Sequence, residues 1–495
     1  MKFGTYERVG AITIFAALLA LVCLAARAPQ AAQSIRYKLI DLGTFGGPNA
    51  GVNGPGTRDL SNSGIYAGEA DTSIADPYAP ICQSPDCMVQ HAQEWRNGAV
   101  IDLGTLPGGN LSSGATQISA DGRFISGVSD NGIADPLTGA TTEWRAVVWT
   151  SDGHIHNLGT LPGGTESFGL DVNSRGEVIA ASNNAVPDPF SPIFSWRTQT
   201  RTFLLQNGFM QDIGTLGGPD TFALTINDQG QITGQSYINS TPNADNSPSC
   251  PPGVPAQDPF LWDKGRMIDI GSLGGTCSLP NRLNNRGQVV GISYLADNRT
   301  VHAFFWDRGV LTDIGTLGGP TSQALDLSDS GLVVGTANLA DGTHHAFVWK
   351  DGVLTDVGVV PGDLCSNGLA VNSRGQAIGT STDCMGTTKH MFLWENGSMH
   401  DLTAMILPGS DIDVIEAWDM NDRGEIAAVG VLPNGDQHAV LLVPASAEEI
   451  AAANALTVSQ PRSTTVHTHV KTSENAVFGG RNRALKKLWQ TRRMP

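Results

Sequence analysis

The stretch VHAFFWDRGVLTDIG at residues 301–315 returns at 344–358 as HHAFVWKDGVLTDVG. A near-verbatim repeat at this distance constrains the fold more than any other feature. Each copy must be one small unit that cannot bury its apolar face alone and needs neighbours of its own kind. Three sub-motifs recur in fixed order. The first is an aromatic strand ending in Trp: HAFFW at 302–306, HAFVW at 345–349 and HMFLW at 390–394, with Trp95, Trp149, Trp196 and Trp262 read into the same slot upstream and HAVLLV at 438–443 downstream. The second is DLG or DIG followed by TLGG or TLPGG, starting at Asp41, Asp102, Asn157, Asp212, Asp269, Asp313, Asp356 and, degraded, Asp401. The third is a turn and strand of the type LNNRGQVVG, whose glycine is Gly64, Gly122, Gly176, Gly230, Gly287, Gly331, Gly375 or Gly424.

Each motif therefore occurs eight times. Successive DLG motifs lie 61, 55, 55, 57, 44, 43 and 45 residues apart, a minimal unit of about 44 with inserts in the first four copies. A unit reads as two hairpins. HAFFW turns at Asp307-Arg308-Gly309 into VLTDIG, TLGGPTS crosses over, and SQALDLSDSGLVVG turns at Gly331. Four short strands per 40–50 residues is the period of a propeller blade. The expected fold is all-β: a β-propeller of four-stranded blades, eight in number, spanning 35–444. Seven blades is the alternative if the irregular segment WRTQTRTFLLQNGF at 196–209 fails to form one. The phase of the repeat predicts how the fold closes. The mature chain starts on the second strand of a unit, RYKLIDLG, and ends on the first, HAVLLV, so the N- and C-terminal strands pair and remove two open sheet edges.

HAFxW, DLGTLGG and IN-x-x-G-x-VVG together resemble the units of the HAF-repeat family of extracellular bacterial proteins, over about Arg36 to Pro444. The resemblance implies export and a repeated β architecture. It implies no established reaction, so no catalytic residues carry over. The chain departs from the pattern at Asn157, at DLTAMILPG (401–409), and at DPF (188–190 and 258–260), where HAF is expected. The recurring residues read as packing and turning devices. Trp306 and its equivalents wedge between blades, Gly315, Gly318 and Gly319 let the backbone bend, and Asp313 and its equivalents accept from turn amides.

Residues 1–34 read as a signal peptide: Lys2 and Arg8, an apolar run at 11–26 that is short for a membrane span, then small residues; an uncleaved anchor is the alternative. The mature chain is then extracellular or periplasmic. Six cysteines remain, in three neighbouring pairs, Cys82/Cys87, Cys250/Cys277 and Cys365/Cys384. An even count in an exported chain points to disulfides, although six cysteines allow 15 connectivities. CQSPDC lacks the tight spacing and the second pair of a zinc knuckle.

Several patterns have a chemical and a structural reading. His91, His302, His345, His390 and His438 recur at a strand start, where a ring of histidines would suit a metal. Arg145, Pro192 and Asp258 stand in the equivalent slots of other units, which favours side chains bonding to a neighbouring blade. The turns NDQG (227–230), NSRG (372–375) and NDRG (421–424) resemble calcium loops, but Arg or Gln replaces a needed oxygen ligand. No nucleophile elbow, HExxH or phosphate-cradling loop is present, and TLGG lacks the Lys and following helix that a phosphate site requires.

Charge narrows the partner. Of the net −17, residues 1–34 carry +2 and 445–495 carry +5, which leaves −24 on 35–444. Such a body repels nucleic acid and anionic glycans. The C-terminal residues 445–495 read as a short helix at 447–456 and a basic, largely disordered tail. ALKKLWQTRR (484–493) sets Leu485, Leu488 and Trp489 on one side, a form that touches an envelope surface or the acidic body itself. The favoured function is an exported, non-catalytic, monomeric scaffold with no cofactor. It binds a protein or a neutral glycan through the inserts at 69–90, 128–143, 182–191 and 235–257. A secreted propeller hydrolase or lyase is the alternative, with carboxylates and histidines clustered at the axis. A structural envelope protein held by its tail is the third reading.

Overall fold

The computed structural model describes residues 35–459, apart from 55, 80, 81, 83–85, 135–141, 192–195 and 245–252. Residues 1–34, read above as a signal peptide, Cys250 and the residues beyond Ser459 therefore lie outside the described residues, as do parts of the inserts. The described chain holds thirty-two strands in antiparallel sheets of four. The chain is a β-propeller. In chain order blades 1–7 span residues 46–102, 113–159, 167–212, 221–269, 274–315, 318–358 and 365–401. Blade 8 consists of Asp413–Met420, Ile426–Val431 and Gln437–Pro444, and its fourth strand is Tyr37–Asp41. That strand runs antiparallel to Gln437–Pro444 from Tyr37↔Pro444 to Asp41↔Val440. The pairing of HAVLLV with RYKLIDLG is thus present, and blade 8 lies against blade 1. Blades 4 and 5 are further joined by one parallel bridge, Gln257↔Cys277.

The motifs are coupled through side chains. In blade 6, Gly335 of VVG sits opposite Phe347 of HAF. A Cβ on Gly335 would stand 2.0 Å from the Gln323 carbonyl and 2.8 Å from the Phe347 ring, so the aromatic needs the bare backbone beneath it. Gly379 and Phe392 repeat this arrangement in blade 7. The second and third strands are buried on both faces, since each sheet is sandwiched between two others, which explains runs such as VVGTA without alternation. The tryptophans wedge between blades. Trp306 packs with Leu261 and Ile270 of blade 4 as well as Leu283 and Val289 of its own blade. Trp149 donates its indole N–H to the Leu103 carbonyl of blade 1 at 2.8 Å.

Blade 3 is complete, so the segment at 196–209 does not break the count, but two assignments there are corrected. Leu205, opposite Val178, fills the slot of Trp306 opposite Val289. Trp196 precedes the strand and its indole donates to Glu166. Arg201, opposite Ser182, fills the histidine slot, not Pro192, and the HAF equivalent is Arg201-Thr202-Phe203, not Asp188–Phe190. The insert pushed the aromatic strand nine residues past where the nearest tryptophan suggested.

Strand direction sorts every loop to one of two ends. The turn between strands one and two and the turn between strands three and four share one end, called here the turn end. The hairpin between strands two and three and the crossover to the next blade share the other, the insert end.

Candidate functional site

At the turn end the Asn-x-x-Gly turns form an inter-blade belt. Asn421 shows the device. Its Oδ1 accepts from the N–H of Arg423 and of Glu425, both at 3.0 Å. Its Nδ2 donates to Glu425 at 2.7 Å and to the Ser61 carbonyl of blade 1 at 2.9 Å. The same amide ties Asn173 to the Asn227 carbonyl, Asn227 to Asn284, Asn284 to Ser328 and Asn372 to Asn421. One residue on, a second tie runs alongside: Ser174 N–H to Asp228, Asn285 N–H to Asp329 and Ser373 N–H to Asp422. The oxygens that gave these turns a calcium-like look hold backbone N–H groups. Asn421→Ala removes ties on two blades and leaves buried partners unmatched. Urea unfolding should show a loss of roughly 2 kcal/mol.

Inside the belt the first strands of most blades carry a β-bulge, for example between Gly169 and Asp171 or between Pro280 and Arg282, which re-aims the following side chain. A cavity of about 90 Å³ lies there, lined by residues of blades 1, 2 and 4–8, among them Arg58, Arg282, Asp326, Asp329, Asp419 and Asp422. Arg282 is buried, pairs with Asp326 at 3.2 Å, and donates to the Gly56 carbonyl of blade 1 at 3.1 Å. Burial opposes its charge, but Asp326, Asp419 and Asp171 outweigh burial and hold the guanidinium protonated. Asp419 accepts from the N–H groups of Asp59 and Leu60, both at 2.9 Å. Burial, only partly offset by Arg282, pushes Asp419 up to about 6. Burial and the neighbouring Asp419 push Asp59 up to about 8. The cluster is carboxylate and guanidinium, with no histidine among the lining residues. Its carboxylates are engaged by N–H donors of adjoining blades, and the space is well below the roughly 300 Å³ at which ligand pockets begin. It works as an inter-blade lock.

At the insert end, histidine and aspartate of motifs one and two meet. His302 Nδ1 lies 2.8 Å from Asp313, His345 2.9 Å from Asp356, His91 2.9 Å from Asp102 and His438 2.8 Å from Asp41. These pairs lie within one blade, which corrects the expectation of a bond to the neighbouring blade: strands three and four bring the two residues together directly. The same aspartates accept from a turn amide: Gly315 N–H donates to Asp313 at 2.7 Å. In blade 7 Asp401 caps the short helix Leu402–Met405, and His390 turns to Asp363 at 2.8 Å. Blade 3 uses Arg201 and Asp212, at 3.0 Å. Blade 4 sets Asp258 in the histidine slot near Asp269. Burial and that neighbour push Asp258 up to about 6.

The sequence reading missed a serine on each of several second strands. Ser129, Ser182, Ser236, Ser293 and Ser381 each accept from the N–H of the TLGG leucine or its equivalent, as Leu106 to Ser129 at 2.9 Å, and pin the crossover. Its signal was the Ser two residues after the VVG glycine.

The inserts rise from this end. Second strands in blades 1–4 run 10, 11, 10 and 11 residues, against 7, 7, 6 and 6 in blades 5–8. Much of what the sequence suggested as loop is paired strand, out to Asp71↔Gln90, Asp130↔Trp144 and Tyr237↔Gln257. Ile74, Ile133 and Val186 stand at equivalent places near the tips of blades 1–3 and are 41, 57 and 49 % exposed. Beside the third tip, buried Asp188 meets buried Asp220 of the approach to blade 4. Cys82 and Cys87 are joined across the first insert, and Cys365 and Cys384 join the first strand of blade 7 to the loop between its second and third strands. Cys277 is also disulfide-bonded. Among the described residues no group of three or more His, Cys, Asp or Glu side chains is placed to hold a metal ion. No helix among them is long and apolar enough to cross a membrane.

The fold defines the chain as a β-propeller built of four-stranded antiparallel blades. Neither the protein-family models nor the curated proteins compared with it match. Among solved structures it is similar to the acylaminoacyl peptidase of Pyrococcus horikoshii, at 12% identity and TM-score 0.39, over 79% of this chain and 59% of that one. Dipeptidyl peptidase 4 of Porphyromonas gingivalis aligns at 9% and 0.38, over 69% and 53%. TolB of Acinetobacter baumannii aligns at 10% and 0.32, over 67% and 65%. The chain thus spans about half to two thirds of the length of these proteins, and likenesses this distant carry no activity across.

Proposed function

We propose that this chain is an exported binding scaffold that engages a protein partner through the insert end of blades 1–4. The observation that carries the reading is the asymmetry of the hairpins. Four consecutive blades prolong their second and third strands beyond the level at which the other four turn, and three of the prolonged second strands carry an exposed aliphatic residue at their last position but one. Long edges cost conformational entropy and offer an aggregation hazard, so their extension along one arc needs a use. Exposed aliphatic side chains suit a protein surface better than a sugar, which favours aromatic platforms. Disulfides fit an oxidising compartment outside the cytosol.

The test is a triple variant, Ile74→Ser, Ile133→Ser and Val186→Ser, with thermal unfolding as control. Immobilised wild-type protein should retain a partner from an envelope fraction. The variant should lose that retention at least tenfold with its unfolding midpoint unchanged. Equal retention by the variant, or binding confined to neutral glycans on an array, would overturn the reading. Shortening the blade 4 insert should be confined to 243–254, since Ser236 and Tyr237 of the preceding strand are buried.

A further inference from the structure

We infer that the apolar tips of blades 1–3 form a docking surface for the chain's own basic C-terminal segment, residues 484–493. The inference rests on the insert end being a docking face and names an occupant for it.

The propeller carries its charge unevenly between its two ends. Exposed arginines stand at the turn end, among them Arg123, Arg175, Arg286, Arg308, Arg374 and Arg423. Exposed aspartates stand at the insert end, among them Asp86, Asp102, Asp212, Asp269, Asp313 and Asp356. The cause is in the repeat. The NxRG turn places an arginine at one end of each unit that keeps it, and DLG places an aspartate at the other. A body of net charge −24 over 35–444 therefore concentrates its acidity where the aliphatic tips also lie.

Residues 460–495 hold eight basic residues and one acidic, Glu474. Within them ALKKLWQTRR offers Leu485, Leu488 and Trp489 to apolar tips and Lys486, Lys487, Arg492 and Arg493 to the surrounding carboxylates.

The helix Ala447–Ser459 follows the third strand of blade 8, and Lys38 on the fourth strand of that blade reaches Glu449 at 3.3 Å. Blade 8 adjoins blade 1, where Gln437 N–H meets Asn49 at 3.1 Å, and blade 1 bears the first tip. The thirty-six residues beyond Ser459 span at most ~120 Å, ample to pass from one end of the propeller to the other. Docked there, the segment would compete with any outside partner for the same tips.

Zero-length carbodiimide coupling on the full-length mature chain, read by peptide mass spectrometry, tests this. Lys486 or Lys487 should couple to Asp86 or Asp102 within a single molecule. The yield should fall several-fold in 1 M NaCl, where the Debye length is about 3 Å. It should fall as far in the triple tip variant, and in Leu485→Ser/Leu488→Ser/Trp489→Ser, which keeps both lysines and leaves the propeller untouched. Coupling chiefly to Asp152, Asp329 or Asp351 at the turn end, coupling between two copies, or none would overturn it. If coupling is absent while the tip variant still loses an outside partner, the tail inference fails and the binding reading stands. If coupling is present and no partner is retained, the reverse holds.

Discussion

Replacing Arg282 by methionine is expected to destabilise the propeller by about 3–5 kcal/mol, the cost of stripping one partner from a buried ion pair. The guanidinium links three blades: it pairs with Asp326 of blade 6, donates to Gly56 of blade 1, and springs from blade 5. Its removal leaves Asp326 and Asp419 lining a small cavity, with Asp171 no longer offset by the guanidinium and Arg58 as the remaining cation that acts on Asp419 and Asp171. Urea unfolding at neutral pH measures the loss. Adding Asp326→Leu should recover more than half of it, because the pair removed together leaves less unmatched charge than either partner alone. A loss under ~1 kcal/mol would mean that water reaches the cluster and screens it as it screens surface pairs. Asp326 also accepts from Val371 N–H of blade 7 at 2.9 Å, so recovery should be incomplete.

The prediction concerns residues that the sequence did not single out, and the reason is physical. A repeat advertises the positions where every blade meets the same surroundings. The glycine under the Phe347 ring, the asparagine of the turn and the aspartate of DLG each face an equivalent neighbour, so the same residue recurs and the pattern is readable. That is why strand number, blade count, the N- and C-terminal strand pairing and the wedging tryptophans were all legible. At the axis each blade faces the blades opposite, and what is needed is complementarity. Gln117, Asp171, Thr225, Arg282, Asp326 and Asp419 follow the bulge in their respective first strands; three are aspartate and the other three are glutamine, threonine and arginine. A search for recurrence passes over such a set. Trp196 failed for the opposite reason: the insert before it displaced the strand, and a conspicuous residue stood near the vacated slot. Of the insert end, the position of the long hairpins was legible from the spacing, but their paired strands and aliphatic tips needed the register. The acid and base poles follow from NxRG and DLG once strand direction is known, and strand direction is implicit in the order of the motifs.

The second large effect is a dependence of stability on pH centred on Asp220. Its side chain is buried, its Oδ1 accepts from Thr200 N–H at 2.7 Å, and the carboxyl group of Asp188 lies close enough to disfavour a second charge, so a proton on Asp220 relieves the pair. Burial first, and then Asp188, push Asp220 up to about 8, against the partial relief of Arg201, itself paired with Asp212. An aspartate in the unfolded chain titrates near 3.8. Below that value both states are protonated and the pair is intact. As pH rises from about 4 to about 8 the folded state keeps a proton that the unfolded state has released, so folding loses stability throughout that window and reaches a floor above it. Asp59, raised to about 8, and Asp258, raised to about 6, add in the same direction. The shift on Asp220 alone corresponds to a fall on the order of 5 kcal/mol across the window. Asp220→Asn supplies an N–H in place of that proton and should flatten the curve, leaving the variant less stable than wild type near pH 4 and more stable near pH 9. Chemical unfolding at half-unit intervals from pH 4 to 9 reads this directly. Two parallel curves would show that the proton does not sit on this pair, and that the link between the third insert and blade 4 is held by Thr200 and the backbone.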